Sequence, residues 1–200
     1  MAKSSLRFKK LRLTLIGQLR SITNVISRKT RMVMTAIQRP ASHSRKLRTE
    51  MEPGSILPKI NPLTGKPFEI QLDDSKLESQ LDPLSFDVLR KAGTEVAFTG
   101  KYYESETIGV YECKACGAEL FRSEEKFHSG CGWPSFYAPK EGDAVILLED
   151  RSLAPRIRTE VRCAKCGSHL GHVFEGEGYA VPTDQRWCIN SVALVLKPRS

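Results

Sequence analysis

The first 49 residues hold no Asp or Glu, and the first 112 hold no cysteine. The acid-free stretch carries 13 Lys and Arg, so the chain's net charge of +8 is concentrated there. From Glu50 onward, 18 basic residues face 23 acids, a balance of −5. A phosphate-binding groove needs basic residues gathered on the folded body, and a mildly acidic body argues against a nucleic-acid partner. Long apolar runs are missing too. Ala144 to Leu148 is typical of the longest, far short of the roughly 18–20 residues of a spanning helix, so no membrane role is expected. Basic residues interrupt the leading segment, which excludes the unbroken core of a secretory signal. At 40% apolar and 27% charged residues, the composition is globular rather than collagen-like or low-complexity.

Residues 1–49 read as a basic targeting or disordered segment. Leu11, Leu15, Leu19, Ile22 and Ile26 share one helical face, with Arg20, Asn24, Ser27 and Arg28 roughly opposite, and Pro40 ends any helix. An Arg-rich, acid-free amphipathic start fits an organelle transit peptide, mitochondrial or plastid, the alternative being a cytoplasmic protein with a basic arm. Residues 50–81 contain Pro53, Gly54, Pro58, Pro62, Gly65 and Pro67, a linker-like density of breakers. Residues 82–198 form the body. Asp82-Pro83 starts a short helix through Leu84, Val88 and Leu89, stopping at Gly93. Short strands follow at Val110–Glu112, Ala144–Leu148, Arg156–Val161 and Ser191–Leu196, separated by Gly and Pro. The expected fold is mainly β: a small antiparallel two-sheet domain with a leading short helix and a structural four-cysteine zinc site.

All six cysteines lie in the body, at 113, 116, 131, 163, 166 and 188. A body of this size builds its own core, so disulfide staples are not required. Cys113-Lys-Ala-Cys116-Gly and Cys163-Ala-Lys-Cys166-Gly are near-copies, with 46 residues between Cys116 and Cys163. Two residues between thiolates, with Gly after, let a tight turn aim both sulfurs at one ion. Two such turns make a tetrahedral site with Zn–S near ~2.3 Å and no open position, hence one structural Zn2+ per chain. Redox pairs and an iron–sulfur site are the alternatives, and nothing nearby favours electron transfer.

Cys131 and Cys188 remain. Cys131 sits in Ser129-Gly-Cys-Gly-Trp-Pro-Ser-Phe136 and Cys188 in Arg186-Trp-Cys-Ile-Asn190. Two buried apolar thiols are the bland reading; Arg186 and Asn190 tilt Cys188 toward a stabilised thiolate. His169 and His172 would face opposite sides of a regular strand, and Gly171 offers a bulge that turns both toward one pocket.

These motifs carry a resemblance. Gly93-Thr-Glu-Val-Ala-Phe-Thr-Gly-Lys-Tyr-Tyr103, the two knuckles, Ser-Gly-Cys-Gly-Trp-Pro-Ser-Phe, Arg-Thr-Glu-Val161, His-Leu-Gly-His-Val-Phe174 and Cys-Ile-Asn-Ser191 stand in one order. Together, over about residues 82–197, the chain resembles the B-type methionine sulfoxide reductases. The resemblance implies thiol-dependent reduction of the R epimer of methionine sulfoxide, mainly protein-bound, with recycling by a thioredoxin-type dithiol; a monomer is expected. It implies Cys188 as nucleophile, Cys131 as resolving cysteine, and His169, His172 and Asn190 as polar pocket residues. Trp133, with Arg186, would stand on the substrate side. Trp187 replaces a frequent Tyr or Phe, and the altered stretch Glu175-Gly-Glu-Gly-Tyr179 leaves the acidic support residue open between Glu175 and Glu177. The rival of another class is a non-enzymatic zinc-bearing β module that binds a protein or small ligand.

Overall fold

The computed structural model describes residues 56–199, together with the backbone of Lys46 and Leu47. The amphipathic pattern of Leu11–Ile26 and the stop at Pro40 lie outside the described residues. Two helices precede the sheets: α1 (Asp74–Gln80) and α2 (Pro83–Lys91). The side chain of Asp73 caps α1 through the Lys76 N–H at 3.2 Å, and that of Asp82 caps α2 through the Ser85 N–H at 2.8 Å. Each satisfies a helix-end donor that has no intrahelical partner. Pro83 at the first position of α2 forfeits no bond there. The helix ends at Ala92, in the left-handed region at φ 57°, one residue before the expected stop. The Gly93 N–H then closes on the Asp87 carbonyl.

The strands are β1 (Lys46–Leu47), β2 (Gly109–Cys113), β3 (Glu119–Arg122), β4 (Lys126–Phe127), β5 (Ser135–Phe136), β6 (Val145–Leu153), β7 (Arg156–Cys163), β8 (His169–Glu175), β9 (Gln185–Ile189) and β10 (Leu194–Pro198). They form two sheets, ordered β1-β6-β7-β8-β9-β5-β4 and β10-β2-β3. Every pair is antiparallel except β1 with β6. The mainly β, two-sheet class expected from the sequence is therefore the observed one. Ser191–Ala193 departs from expectation: it is a 3-10 turn leading into β10, not strand.

The core lies among the sheets and helices. Tyr111, Phe121, Phe136, Leu170, Ile189 and Leu194 are buried there with Val88 and Leu89 of α2. Phe121 stacks on Phe136 at 4.5 Å between ring centroids, and Tyr111 meets the same ring edge-on at 5.1 Å. Such pairs add to the area they bury.

The described part of residues 50–81 is not a linker. The breakers there make turns that fold this segment onto the body. The Gly65 N–H donates to the Asn61 carbonyl at 2.8 Å, and the Asn61 side chain accepts from the Leu63 N–H. That turn delivers Phe68 against Ile146 and Leu148, where all three are buried. Leu57 and Arg90 are joined by a backbone hydrogen bond of 2.7 Å and a second from the guanidinium at 2.9 Å. Removing the Phe68 ring would cost about 3 kcal/mol, the usual size for a buried aromatic.

Candidate active site and metal centre

The two knuckles turn identically. The Gly117 N–H donates to the Cys113 carbonyl at 2.8 Å, and the Gly167 N–H to that of Cys163 at 2.9 Å. Both glycines are left-handed, at φ 75° and 74°, a conformation that lets the chain reverse at no steric cost. At Gly167 a side chain is also excluded by space, since a Cβ would lie 2.2 Å from the Phe68 ring. The turns bring Cys113, Cys116, Cys163 and Cys166 together with all four sulfurs within 4.8 Å of one another. Across the knuckles, Cys113–Cys166 and Cys116–Cys163 are 3.8 and 3.7 Å apart. A tetrahedron with metal–sulfur bonds of ~2.3 Å has edges of about 3.8 Å, so these thiols fit a metal ion.

The other two cysteines meet elsewhere. One row of the large sheet runs Glu160, His172, Cys188 and Ser135, each opposite the next on β7, β8, β9 and β5. Period-two alternation sends Arg186 and Cys188 of β9 to the cavity side, and buries Trp187 and Ile189 in the core. Cys131 arrives on the loop before β5. Its sulfur is 3.6 Å from that of Cys188 and 3.4 Å from the Ser135 hydroxyl. The Ser129 hydroxyl accepts from the Cys131 N–H and lies 2.7 Å from Ser135 Oγ. A cavity of about 260 Å3 opens over the pair, lined among others by Trp133, His172, Phe174, Arg186 and Asn190.

Two sulfurs so close do not both carry charge comfortably. Hydrogen bonding with Cys188, then with Ser129 and Ser135, brings Cys131 down to about 4 against the cost of burial. The same pairing, with burial and the Cys131 charge, pushes Cys188 up, while Arg186 pulls it back down. The pair therefore rests with one negative charge and one shared proton.

The histidines sit one behind the other. Val161 faces Gly171 while Arg162 faces His169, so Leu170 is an extra residue on β8. This bulge places His169 and His172 on one side, 5.5 Å between ring centroids. Gly171 is required at this point, because a Cβ would lie 2.0 Å from the Cys188 carbonyl. Only His172 reaches the cavity wall. Its Nε2 is 2.9 Å from Asp150, and burial lowers its pKa while Asp150 opposes that shift. Burial alone would raise Asp150, but His172, Ser152 and Arg158 hold it well below the usual carboxylate range. Neutral His172 thus donates Nε2–H to an ionised Asp150 and leaves Nδ1 as acceptor. His169 is fully buried, with Nδ1 2.7 Å from Glu160, which also accepts two bonds from Arg162 at 2.9 and 3.0 Å. The structure does not bring His169 to the cavity.

Trp133 is held by Glu95, whose carbonyl accepts the indole N–H at 3.2 Å. The Glu95 N–H donates to Asn190 Oδ1 at 3.0 Å, and its carboxylate accepts from the Val192 N–H at 3.0 Å. One buried residue thus ties the Trp133 wall to the segment following Cys188. Burial raises the Glu95 pKa, with the Ser191 and Val192 N–H groups opposing. Arg186 is clamped by Glu177 in two bonds, at 2.7 and 2.9 Å. Of the two acids left open, Glu177 is the one on Arg186; Glu175 meets Gln185. The sequence reading assigned no role to Glu95, Asp150 or Glu160, although Glu95 and Glu160 stand inside quoted motifs.

Two thiols this close under an open cavity, with a separate four-cysteine group able to hold a metal ion, fit an enzyme of sulfur redox chemistry. The SelR domain model matches residues 81–198, more than half of the chain. Peptide methionine sulfoxide reductase MsrB of Leifsonia xyli subsp. xyli is 53% identical over 131 residues, spanning 66% of this chain and 93% of that protein. The protein of that name from Pseudomonas savastanoi pv. phaseolicola is 57% identical over 122 residues, 61% and 91% of the two chains. The one from Burkholderia vietnamiensis is 47% identical over 134 residues, 67% and 92%. This chain belongs to the B-type methionine sulfoxide reductases.

Proposed function

We propose that the protein reduces the R epimer of methionine sulfoxide, mainly in protein chains, through Cys188 and Cys131. The observation that carries this reading is the 3.6 Å approach of the two sulfurs on the wall of the cavity that holds Trp133 and His172. The substrate methyl packs on the Trp133 indole, which sets the orientation of the sulfoxide. The shared proton passes to Cys131, leaving the charge on Cys188 beside Arg186, and His172 Nδ1 takes up a proton whose charge Asp150 stabilises. The Cys188 thiolate then attacks sulfur while His172 passes its proton to the sulfoxide oxygen. The hydroxyl then moves from the substrate sulfur to Cys188: the S–O bond and the transient S–S bond break as the Cys188 S–O bond forms, giving methionine and a Cys188 sulfenic acid. Cys131 attacks that sulfur, water departs, and a Cys131–Cys188 disulfide forms. The sulfurs need close by only about 1.5 Å to reach bonding distance. A thioredoxin-type dithiol then reduces the disulfide by exchange. Arg186 favours the Cys188 thiolate. Asn190 fixes the adjoining chain by accepting from Glu95 N–H and donating to the Leu170 carbonyl at 2.9 Å.

The four-cysteine centre is read as structural Zn2+, since four thiolates leave no site for substrate. The acid-free residues 1–49 support targeting to an organelle, and the protein is taken as a monomer. The test uses the full chain with zinc, dithiothreitol, and separated R and S epimers of dabsylated methionine sulfoxide. Conversion of R alone is expected. Conversion of neither, with metal bound and fold intact, would make the protein a binding module instead.

A further inference from the structure

The cavity wall holds more positive charge than the reaction uses. Arg156, Arg158 and Arg186 line it, and no Asp or Glu does. Two of these are committed: Arg158 to Asp150 at 2.7 Å and Arg186 to Glu177 at 2.7 Å. Arg156 has no carboxylate within ion-pair distance among the described residues. It is exposed at the start of β7, opposite Leu153 across the β6–β7 hairpin. Its guanidinium lies 6.0 Å from the centre of the Phe174 ring, which Arg186 approaches at 4.6 Å. An aromatic face thus keeps the third guanidinium at the cavity rim, and the acid that feels its charge, Glu177, is already bonded to Arg186. A sulfoxide is neutral and its methyl wants an apolar wall, so neither accounts for that charge.

We propose that Arg156 is a specificity residue that takes a carboxylate of the substrate. This inference rests on the reductase reading above and narrows its substrate class. The carboxylate comes from an Asp or Glu beside the oxidised methionine, or from the free carboxyl end of methionine sulfoxide. In either case the planar guanidinium fork matches the carboxylate in two parallel hydrogen bonds. An exposed pair of this kind is worth about fivefold in kcat/KM at most, and salt weakens it.

The test compares kcat/KM for two pairs of R-sulfoxide substrates at low ionic strength. One pair is N-acetylmethionine sulfoxide and its amide. The other is a blocked peptide with Glu beside the sulfoxide and the same peptide with Gln. The full-length protein is expected to favour the acidic member of one or both pairs by about fivefold. In Arg156→Ala that ratio falls to about one, and in Arg156→Glu it inverts. Preference confined to the peptides identifies a neighbouring side chain as the source; preference confined to the acetyl pair identifies the terminal carboxylate. Ratios near one in the unmodified protein, or a preference that survives in Arg156→Ala, would overturn the proposal. No turnover of any of the four sulfoxides would overturn the reductase reading itself, whatever Arg156 does.

Discussion

Six cysteines of one body serve two chemistries, and what surrounds the sulfurs separates them. At the knuckles, backbone turns fix the sulfurs at the edges of a tetrahedron, with Cys113, Cys163 and Cys166 buried. At the Cys131–Cys188 pair the sulfurs are half-buried, only two in number, and face a cavity with three arginines and an imidazole on its wall. Sulfur–sulfur distances of 3.6 to 3.8 Å occur at both places, so proximity does not decide the role. Ligand count, access and neighbouring charge do.

The contrast is sharpest in Cys188→Ser, for which the expected outcome is loss of R-sulfoxide reduction by at least about a thousandfold, the scale of removing a catalytic nucleophile. Bound metal, measured by elemental analysis, should be unchanged. Next comes Cys131→Ser. It should still yield one methionine per enzyme in a rapid-quench experiment, yet lose steady-state turnover with thioredoxin. Full cycling would mean another resolving thiol, which would blur the division between the two sites. Removing the metal should act on stability rather than chemistry. A chelator is expected to lower the melting temperature by well over about 10 °C, because a structural site couples binding to folding. An unchanged melting curve would take the structural role from the knuckles.

Smaller still is the effect of Asp150→Asn, about 3 kcal/mol of stability at neutral pH, the cost of breaking a buried charge pair. The folded-state pKa of Asp150 lies below its unfolded value. Its contribution is therefore complete above the unfolded value of about 3.9 and is lost as pH falls toward the folded one. Urea melts from pH 7 downward should show the variant and the original converging at acid pH. A constant gap would mean that the carboxylate charge is not what the site uses. The smallest expected effect is that of Glu177→Gln, a loss of about threefold in kcat/KM, since Glu177 is partly exposed and acts only through Arg186. Restored activity in Glu177→Asp at higher pH would separate charge from mere packing.

Local spacing made the knuckles legible: each needs only four residues and a glycine. The strands at 110, 145 and 156 were legible as short segments set off by Gly and Pro, and the start of α2 from Asp82-Pro83. What escaped depends on contacts distant in sequence. Glu95 meets Asn190 and Val192 across more than ninety positions, and Asp150 meets His172 from two strands away. A bulge was anticipated at Gly171, but the choice between His169 and His172 turned on depth: His169 is buried against Glu160, and His172 lines the cavity. Residues 56–81 looked like a linker because their prolines and glycines mask the few apolar residues, Leu57, Phe68, Leu72 and Leu77, that are buried.

The division between two redox thiols and four metal thiols is tested most directly by mapping every cysteine after a single turnover. The full chain with zinc is given one equivalent of R-sulfoxide without reductant, then alkylated, digested and analysed by mass spectrometry. The account requires one new disulfide, joining Cys131 to Cys188, with the metal retained and Cys113, Cys116, Cys163 and Cys166 unoxidised. A disulfide within the knuckles, or metal released in step with product, would contradict it.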